Sequence, residues 1–339
     1  MGAPAADLAA KVAFLSRPAS YPEPTSRVQP VETHMSWVFL LDRHAYKLKK
    51  PVRLPYLDFS TVALRKHYCS EEVRLNRRLS DGIYLGAVPL AQAHDGTLRL
   101  AAGLPVIDWL VRMRRLPAER MLDRLIADGT LAAGDLSRAV TRLAWFYRAS
   151  PAVPTDGGDY VGRFAAGIDA NGEALAQPAY GLPVADVRAV CARQRAALAS
   201  LAPLLFQRAG HVVEAHGDLR PEHVCVDAQP QFIDALEFDR DLRLLDPVDE
   251  LGFLALECER LGAAWARAPI LATYSALTGD VPPDAVVAFY QSHRACVRAR
   301  IAAWHLDDDG VRERTKWAER AGRYLRLARA WIDACAPRG

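Results

Sequence analysis

Two aspartates carry the strongest chemical signal in this sequence. Asp218 stands in His216-Gly217-Asp218-Leu219-Arg220-Pro221-Glu222-His223, and Asp234 closes Gln231-Phe232-Ile233-Asp234, sixteen positions later. Between them, Val224-Cys225-Val226 and the polar turn Asp227-Ala228-Gln229 read as half of a short β-hairpin. Both carboxylates are therefore expected at the open end of that hairpin, facing one point. Such a pair suits phosphoryl transfer, where one carboxylate orients the attacking hydroxyl and another holds Mg²⁺ against nucleotide phosphates. Aspartate is also an ordinary turn residue, and spacing alone leaves that reading open.

The same chemistry needs a cation for the phosphates and a group to hold that cation. Ala45-Tyr46-Lys47-Leu48-Lys49-Lys50 reads as an extended segment following Trp37-Val38-Phe39-Leu40-Leu41 and the turn Asp42-Arg43-His44. Lys47 and Lys49 are two positions apart and share one strand face, so strand geometry does not separate them. A helix is predicted from an N-cap at Ser60 to Leu79, because Leu64, Tyr68, Leu75 and Leu79 recur at helical spacing. Glu72 falls on that inward face, where an unpaired charge costs several kcal/mol, so it calls for a cationic partner and is preferred to Glu71. The competing readings are a solvated edge-strand charge run for the lysines and a surface contact with Asn76 for Glu72.

Together these segments resemble a known family. The run H-G-D-L, an apolar hairpin and I-D is similar to the catalytic loop and metal-binding aspartate of aminoglycoside phosphotransferases and related kinases. Glu32 to Leu40, Ala45 to Pro51, Leu57-Asp58-Phe59-Ser60 and Glu72 to Leu79 resemble the phosphotransferase half of a bacterial family often fused to a P-loop ATPase. The resemblance runs over roughly residues 28–330, and no G-x-x-x-x-G-K-S/T occurs, so the ATPase half is expected to be absent.

The resemblance implies an α+β, bilobal, protein-kinase-like fold and ATP-dependent transfer of the γ-phosphoryl group to a hydroxyl of a small molecule, with Mg²⁺ as the metal. It assigns Asp218 as the base that orients the acceptor hydroxyl and Asp234 as the metal ligand. Lys49, paired with Glu72, is preferred to Lys47 for the α and β phosphates, and Thr33, His34 and Ser36 form a glycine-free loop whose hydroxyls and N–H groups would cradle phosphate. Asp249 is expected to steady the catalytic loop, Glu237 to lie near the metal site, and His216 to be structural. The sequence departs from the family at His223, where an asparagine that binds the second metal or steadies the loop is expected; His223 is a second candidate metal ligand beside Asp234. An imidazole suits Zn²⁺ better than Mg²⁺, so a nucleotide-binding pseudokinase with a regulatory role is the alternative function. A zinc site from His216, His223 and Asp218 matches no familiar ligand spacing.

The surrounding elements must position these groups. Strand-like segments are predicted at Tyr84–Gln92, Thr97–Leu100 and Val106–Arg114. Helical periodicity follows in Ala118–Ile126, Leu136–Ser150, Val184–Gln207, Val248–Leu261, Pro283–His305 and Arg312–Ala334. This divides the chain into a loosely packed leader at 1–27 holding one short helix (Ala5 to Leu15), a β-rich lobe at 28–115 and a helical lobe at 116–339, with a cleft between the lobes. At 339 residues, 51% of them hydrophobic, the chain is long enough for two lobes.

A net charge of +3 and a pI near 8.5 lack the dense basic balance of a nucleic-acid binder. Six cysteines without a C-x-x-C pair point to reduced thiols, hence to the cytoplasm. The first twenty residues show no secretory signal, and no apolar run is long enough to span a membrane. The arginine-rich stretch from Arg298 to Arg329 reads mostly as solvated helix faces; where it meets the acceptor it would disfavour polycationic aminoglycosides and favour a neutral or anionic acceptor.

Overall fold

In the computed structural model, residues 6–54, 57–307 and 313–335 are described. The chain forms two compact units, one from 1–124 and 222–243, the other from 125–221 and 244–339. The helical stretch thus gives up the hairpin around Asp234 to the β-rich unit. Among the described residues no helix is long and apolar enough to cross a membrane.

The first unit contains α1 (Leu8–Leu15), the strands β1 (Gln29–Glu32), β2 (Ser36–Leu40) and β3 (His44–Lys49), a two-stranded ribbon of β4 (Arg53–Leu54) and β5 (Leu57–Asp58), α2 (Val62–Asn76), and β6 (Tyr84–Gln92), β7 (Leu98–Arg99) and β8 (Val106–Arg114). Six strands form one antiparallel sheet in the order β1-β2-β3-β8-β6-β7. Alternation along β3 sends Tyr46 and Leu48 into a core with Phe39, Leu90 and Leu110, and sends Ala45, Lys47 and Lys49 to the face covered by α2. Thr61, not Ser60, caps α2: its side chain accepts from Leu64 N, while Ser60 Oγ donates to Asp58. The hairpin after Asp218 is present as Val224–Cys225 paired with Gln231–Phe232.

The segment expected as a loose leader is packed. Leu15 and Tyr21 are buried in the core on the sheet face opposite α2, and Lys11 Nζ reaches Asp108 Oδ2 at 2.8 Å inside a pair that Arg65 completes from two nitrogens. Pro18 opens a short 3₁₀ turn, Pro18–Ser20, between the buried Leu15 and Tyr21. Ala5, the expected start of α1, lies outside the described residues.

The helical unit begins within α3 (Leu122–Ala127) and continues with α4 (Ala133–Ala149), α5 (Gly157–Leu175), α6 (Val184–Arg208), α7 (Pro247–Arg260), α8 (Arg267–Thr278), α9 (Asp284–Trp304) and α10 (Arg314–Ala334). Sequence periodicity does not reveal α5 or α8. The reason for α5 is visible in its glycines: a Cβ at Gly157 would meet the Phe206 ring at 2.4 Å and one at Gly167 would meet His293 Nε2 at 2.6 Å. Glycine lowers helix propensity by about 1 kcal/mol, and here it is the residue that lets neighbouring side chains approach the backbone. Most of α7 is buried on all sides, so it carries the unit's inner polar groups as well as its apolar ones. Arg312 lies outside the described residues; α10 starts at Arg314.

Candidate active site

Within the first unit, five charged groups converge where α2, β3 and the turn after Gln231–Phe232 meet. Glu72, fully enclosed, accepts from Lys47 Nζ at 3.0 Å through Oε1 and from Lys49 Nζ at 2.6 Å through Oε2. Both strand lysines therefore pair with Glu72. They differ in what lies beyond it. Lys49 is walled in, 0% exposed, bonded also to Glu237 and set over the Phe59 ring. Lys47 is 13% exposed and donates to Asp234 Oδ1, on a carboxylate that is 42% exposed. His223 Nε2 lies 3.5 Å from the other oxygen, Asp234 Oδ2.

Electrostatics in this cluster follow from crowding and pairing. Burial works against the charged form of both lysines, yet Asp234, Glu72 and Glu237 outweigh it at Lys47, and Glu237 and Glu72 outweigh it at Lys49, so both ammonium groups titrate above the usual lysine range. Burial likewise pushes the Asp234 carboxyl up, but the charges of Lys47, His223 and Lys49 prevail and hold it well below the usual carboxylate range. At Glu237 burial wins, and its carboxyl is raised.

Asp234 is the only non-glycine residue with positive φ among the described residues, at 62°. That conformation is unfavourable for an L-residue, though aspartate tolerates it better than most. It is held from both sides: Asp234 N donates to Tyr84 Oη at 2.9 Å, and Ala235 N donates to Asn76 Oδ1 at 2.9 Å. Asn76 sits one helical turn after Glu72 and donates to its carbonyl. The helix that positions the lysines thus also positions the aspartate. Sequence reasoning missed Tyr84 and Asn76 in this role. The spacing of Asn76 from Glu72 was the available signal.

The Thr33–Ser36 loop is a closed turn. Thr33 Oγ1 donates to the Ser36 carbonyl at 2.9 Å and accepts from Ser36 N at 3.0 Å. The Thr33 hydroxyl therefore closes the β1–β2 hairpin instead of standing ready for a phosphate, and Ser36 is buried at the start of β2.

Within the helical unit, Asp218 follows a short strand, Val213–Glu214, that pairs with Leu244–Leu245 just before α7. Gly217 takes φ 90°, which a side chain would strain. The loop backbone is held by Glu250: its carboxylate accepts from His216 N at 3.0 Å, Gly217 N at 2.6 Å and Tyr147 Oη at 2.7 Å. This corrects the expectation for Asp249, which instead forms a two-bond pair with Arg294 at 2.8 and 2.6 Å. The two acids are adjacent on α7, and a helix-phase argument does not separate neighbours that are both buried. His216 hydrogen-bonds within the loop: Asp218 N donates to its Nδ1 at 3.4 Å. Asp218 is itself 28% exposed, with Arg220 Nε 3.0 Å from Oδ2 and Arg298 Nη1 3.9 Å from Oδ1.

No family model matches the chain. It is 32% identical over 277 residues to uncharacterized proteins of Mycobacterium tuberculosis and Mycobacterium bovis, covering 80% of this chain and 53% of theirs, so it spans about half the length of these curated relatives. Solved structures match over nearly the whole chain. A GDP complex of wild-type aminoglycoside 2'-phosphotransferase-IIIa superposes with TM-score 0.53 at 14% identity, covering 94% of this chain and 97% of that one. Glucosamine kinase gives 0.53 at 16% identity, covering 97% and 81%. Choline kinase from Cryptosporidium parvum gives 0.53 at 9%, covering 96% of each.

The chain has the fold of the aminoglycoside-phosphotransferase-like kinases. On that fold, a strand lysine, a helix glutamate and an aspartate after the hairpin are the parts that phosphoryl transfer uses. In this chain residues of those types form a contiguous ion cluster. Among its described residues, no group of three or more His, Cys, Asp or Glu side chains is arranged to hold a metal ion. Mg²⁺ usually relies on one or two carboxylates with substrate phosphates and water, which the open Asp234 carboxylate fits.

Proposed function

We propose that this chain is an ATP-dependent phosphotransferase that moves the γ-phosphoryl group to a hydroxyl of a small molecule such as a sugar, an amino sugar or an aminoglycoside-like compound. The observation that carries the reading is the Lys47–Glu72–Asp234 cluster on a kinase-like fold. A glucosamine kinase of the same fold was solved with glucosamine, ADP and inorganic phosphate, which supports a nucleotide as the donor. Reduced cysteines, none of the six in a disulfide, support action in the cytoplasm.

Asp218 orients the acceptor hydroxyl and takes up its proton at the carboxylate. Lys47 is the phosphate lysine: it stands at the open edge beside Asp234, whereas Lys49, preferred from sequence, is enclosed and holds Glu72 and Glu237 in place. Glu72 keeps the Lys47 ammonium aimed and charged. Asp234, with His223 beside it, would hold Mg²⁺, which when bound neutralises the phosphate oxygens. Asn76 and Tyr84 fix the backbone that aims Asp234.

The second reading, a pseudokinase that binds nucleotide without turnover, is favoured by one observation: His223 places a nitrogen, a poor Mg²⁺ donor, 3.5 Å from Asp234 Oδ2. ADP release in the presence of ATP, Mg²⁺ and an acceptor panel separates the two. The kinase reading predicts turnover that falls about 10²–10⁴-fold in Asp218→Asn, the range typical of a lost acid–base group. Turnover that appears only in His223→Asn establishes the pseudokinase.

A further inference from the structure

Arg298 lies on α9 one turn after Arg294, but the two guanidiniums are held very differently. Arg294 spends two nitrogens on Asp249. The Arg298 side chain is 13% exposed, and its Nε is buried with no hydrogen-bond partner among the described residues. The carboxylates around it are at ion-pair range but not in hydrogen bonds: Glu257 Oε1 is 3.5 Å from Nε and Asp218 Oδ1 is 3.9 Å from Nη1. Glu257 already accepts from Tyr324 Oη at 2.6 Å and Arg260 Nε at 2.7 Å, and Asp218 accepts from Arg220. The guanidinium faces the rings of Phe253 and Tyr324.

Arg320, on α10, adds a second under-committed cation. It is half-buried beside Trp317 and has no ion pair among the described residues. It lies one helical turn before Tyr324, whose ring the Arg298 guanidinium faces at 5.8 Å, and burial depresses its pKa. Among the described residues, Arg298 and Arg320 are thus the two guanidiniums here with no hydrogen-bonded carboxylate, and Arg298 lies beside Asp218. A desolvated guanidinium without hydrogen bonds is costly, and its planar fork matches a carboxylate or phosphate better than any neutral group.

We propose that the acceptor is an acid: a hydroxylated small molecule whose carboxylate or phosphate is bound by Arg298 and Arg320, with its reactive hydroxyl at Asp218. This rests on the phosphotransferase reading for the role of Asp218 and goes beyond it by naming the acceptor class. Of the acceptors named above, it narrows the choice to acidic sugars and turns away polycationic aminoglycosides, which the same arginines repel.

The test needs no nucleotide, so it stands apart from the kinase reading. Thermal shift and calorimetry on the nucleotide-free chain would compare glucose, glucosamine, gluconate and glucose 6-phosphate at 50 and 300 mM salt. Gluconate or glucose 6-phosphate is expected to bind at least tenfold more tightly than glucose or glucosamine. The two acids distinguish a carboxylate from a phosphate preference. Binding should weaken with salt and fall at least tenfold in Arg298→Met and in Arg320→Met, with Arg298→Lys intermediate because it keeps the charge and loses the fork. The proposal is overturned if glucosamine or glucose binds as well as the acids, if neither acid binds, or if both methionine variants keep acid binding unchanged.

Discussion

The two aspartates singled out by the sequence are held in opposite ways. Around Asp234 every strong charge has a counter-charge in contact: two lysines are interleaved with Glu72, Glu237 and Asp234 itself. Beside Asp218 the Arg298 Nε is buried with no hydrogen-bond partner among the described residues, only the Glu257 carboxylate at ion-pair range. A saturated cluster keeps a lysine charged and aimed, and it admits phosphates or a cation by exchanging partners at its open edge. An unsaturated one is completed by what binds. On the function proposed above, the first region would serve the nucleotide and the second the acceptor.

The saturated region is broken hardest from inside. Lys49→Met removes a fully enclosed partner and leaves Glu237 without its lysine, so denaturant unfolding should show a loss of about 3–5 kcal/mol, the usual cost of breaking a buried pair. Lys47→Met, at the open edge, should cost markedly less stability while lowering turnover about 10²-fold, as for a lost electrostatic donor. The reverse pattern, with Lys47 structural and Lys49 needed for turnover, would return the phosphate role to Lys49.

A smaller effect sharpens the contrast from the helical side. Burial, with the charges of Arg294, Arg300 and Arg163 and against that of Asp249, brings the His293 imidazole from 6.5 down to about 4. Its Nε2 is buried without a hydrogen-bond partner among the described residues. The unfolded chain binds this proton first, so the stability His293 contributes is full above pH 6.5 and is lost as pH falls from there toward 4, by about 3 kcal/mol. Measuring unfolding free energy at pH 7 and pH 4.5 should show this slope, reduced in His293→Phe. An unchanged slope in the variant would assign the acid sensitivity to other groups.

The catalytic motif and the sheet were legible because both rest on local chemistry. Apolar runs bounded by turns predict β6 and β8 with the ends observed, and Glu72 announced itself as a carboxylate on an inward helix face. What was not legible depends on choices between equivalent neighbours or on tertiary contact. Lys47 and Lys49 share a strand face, and only their exposure and their tertiary partners, Asp234 for one and Glu237 for the other, separate them. Asp249 and Glu250 are both buried, and only the direction of each side chain shows which one holds the loop. The glycines of α5 weaken its helical pattern, and the Phe206 and His293 contacts that require them are tertiary. Leu15 and Tyr21 looked like a leader because nothing local shows the sheet face they cover. Arg298 read as one more solvated arginine, since a missing hydrogen bond has no sequence signature.

The most direct test is calorimetric binding of ATP with Mg²⁺, with Mn²⁺ and without metal, to the wild-type chain and to Asp234→Ala. Metal-dependent binding in the wild type that loses its metal dependence in Asp234→Ala is the expected result. No nucleotide binding under any of these conditions would contradict the assignment of the Lys47–Glu72–Asp234 cluster to a phosphotransferase.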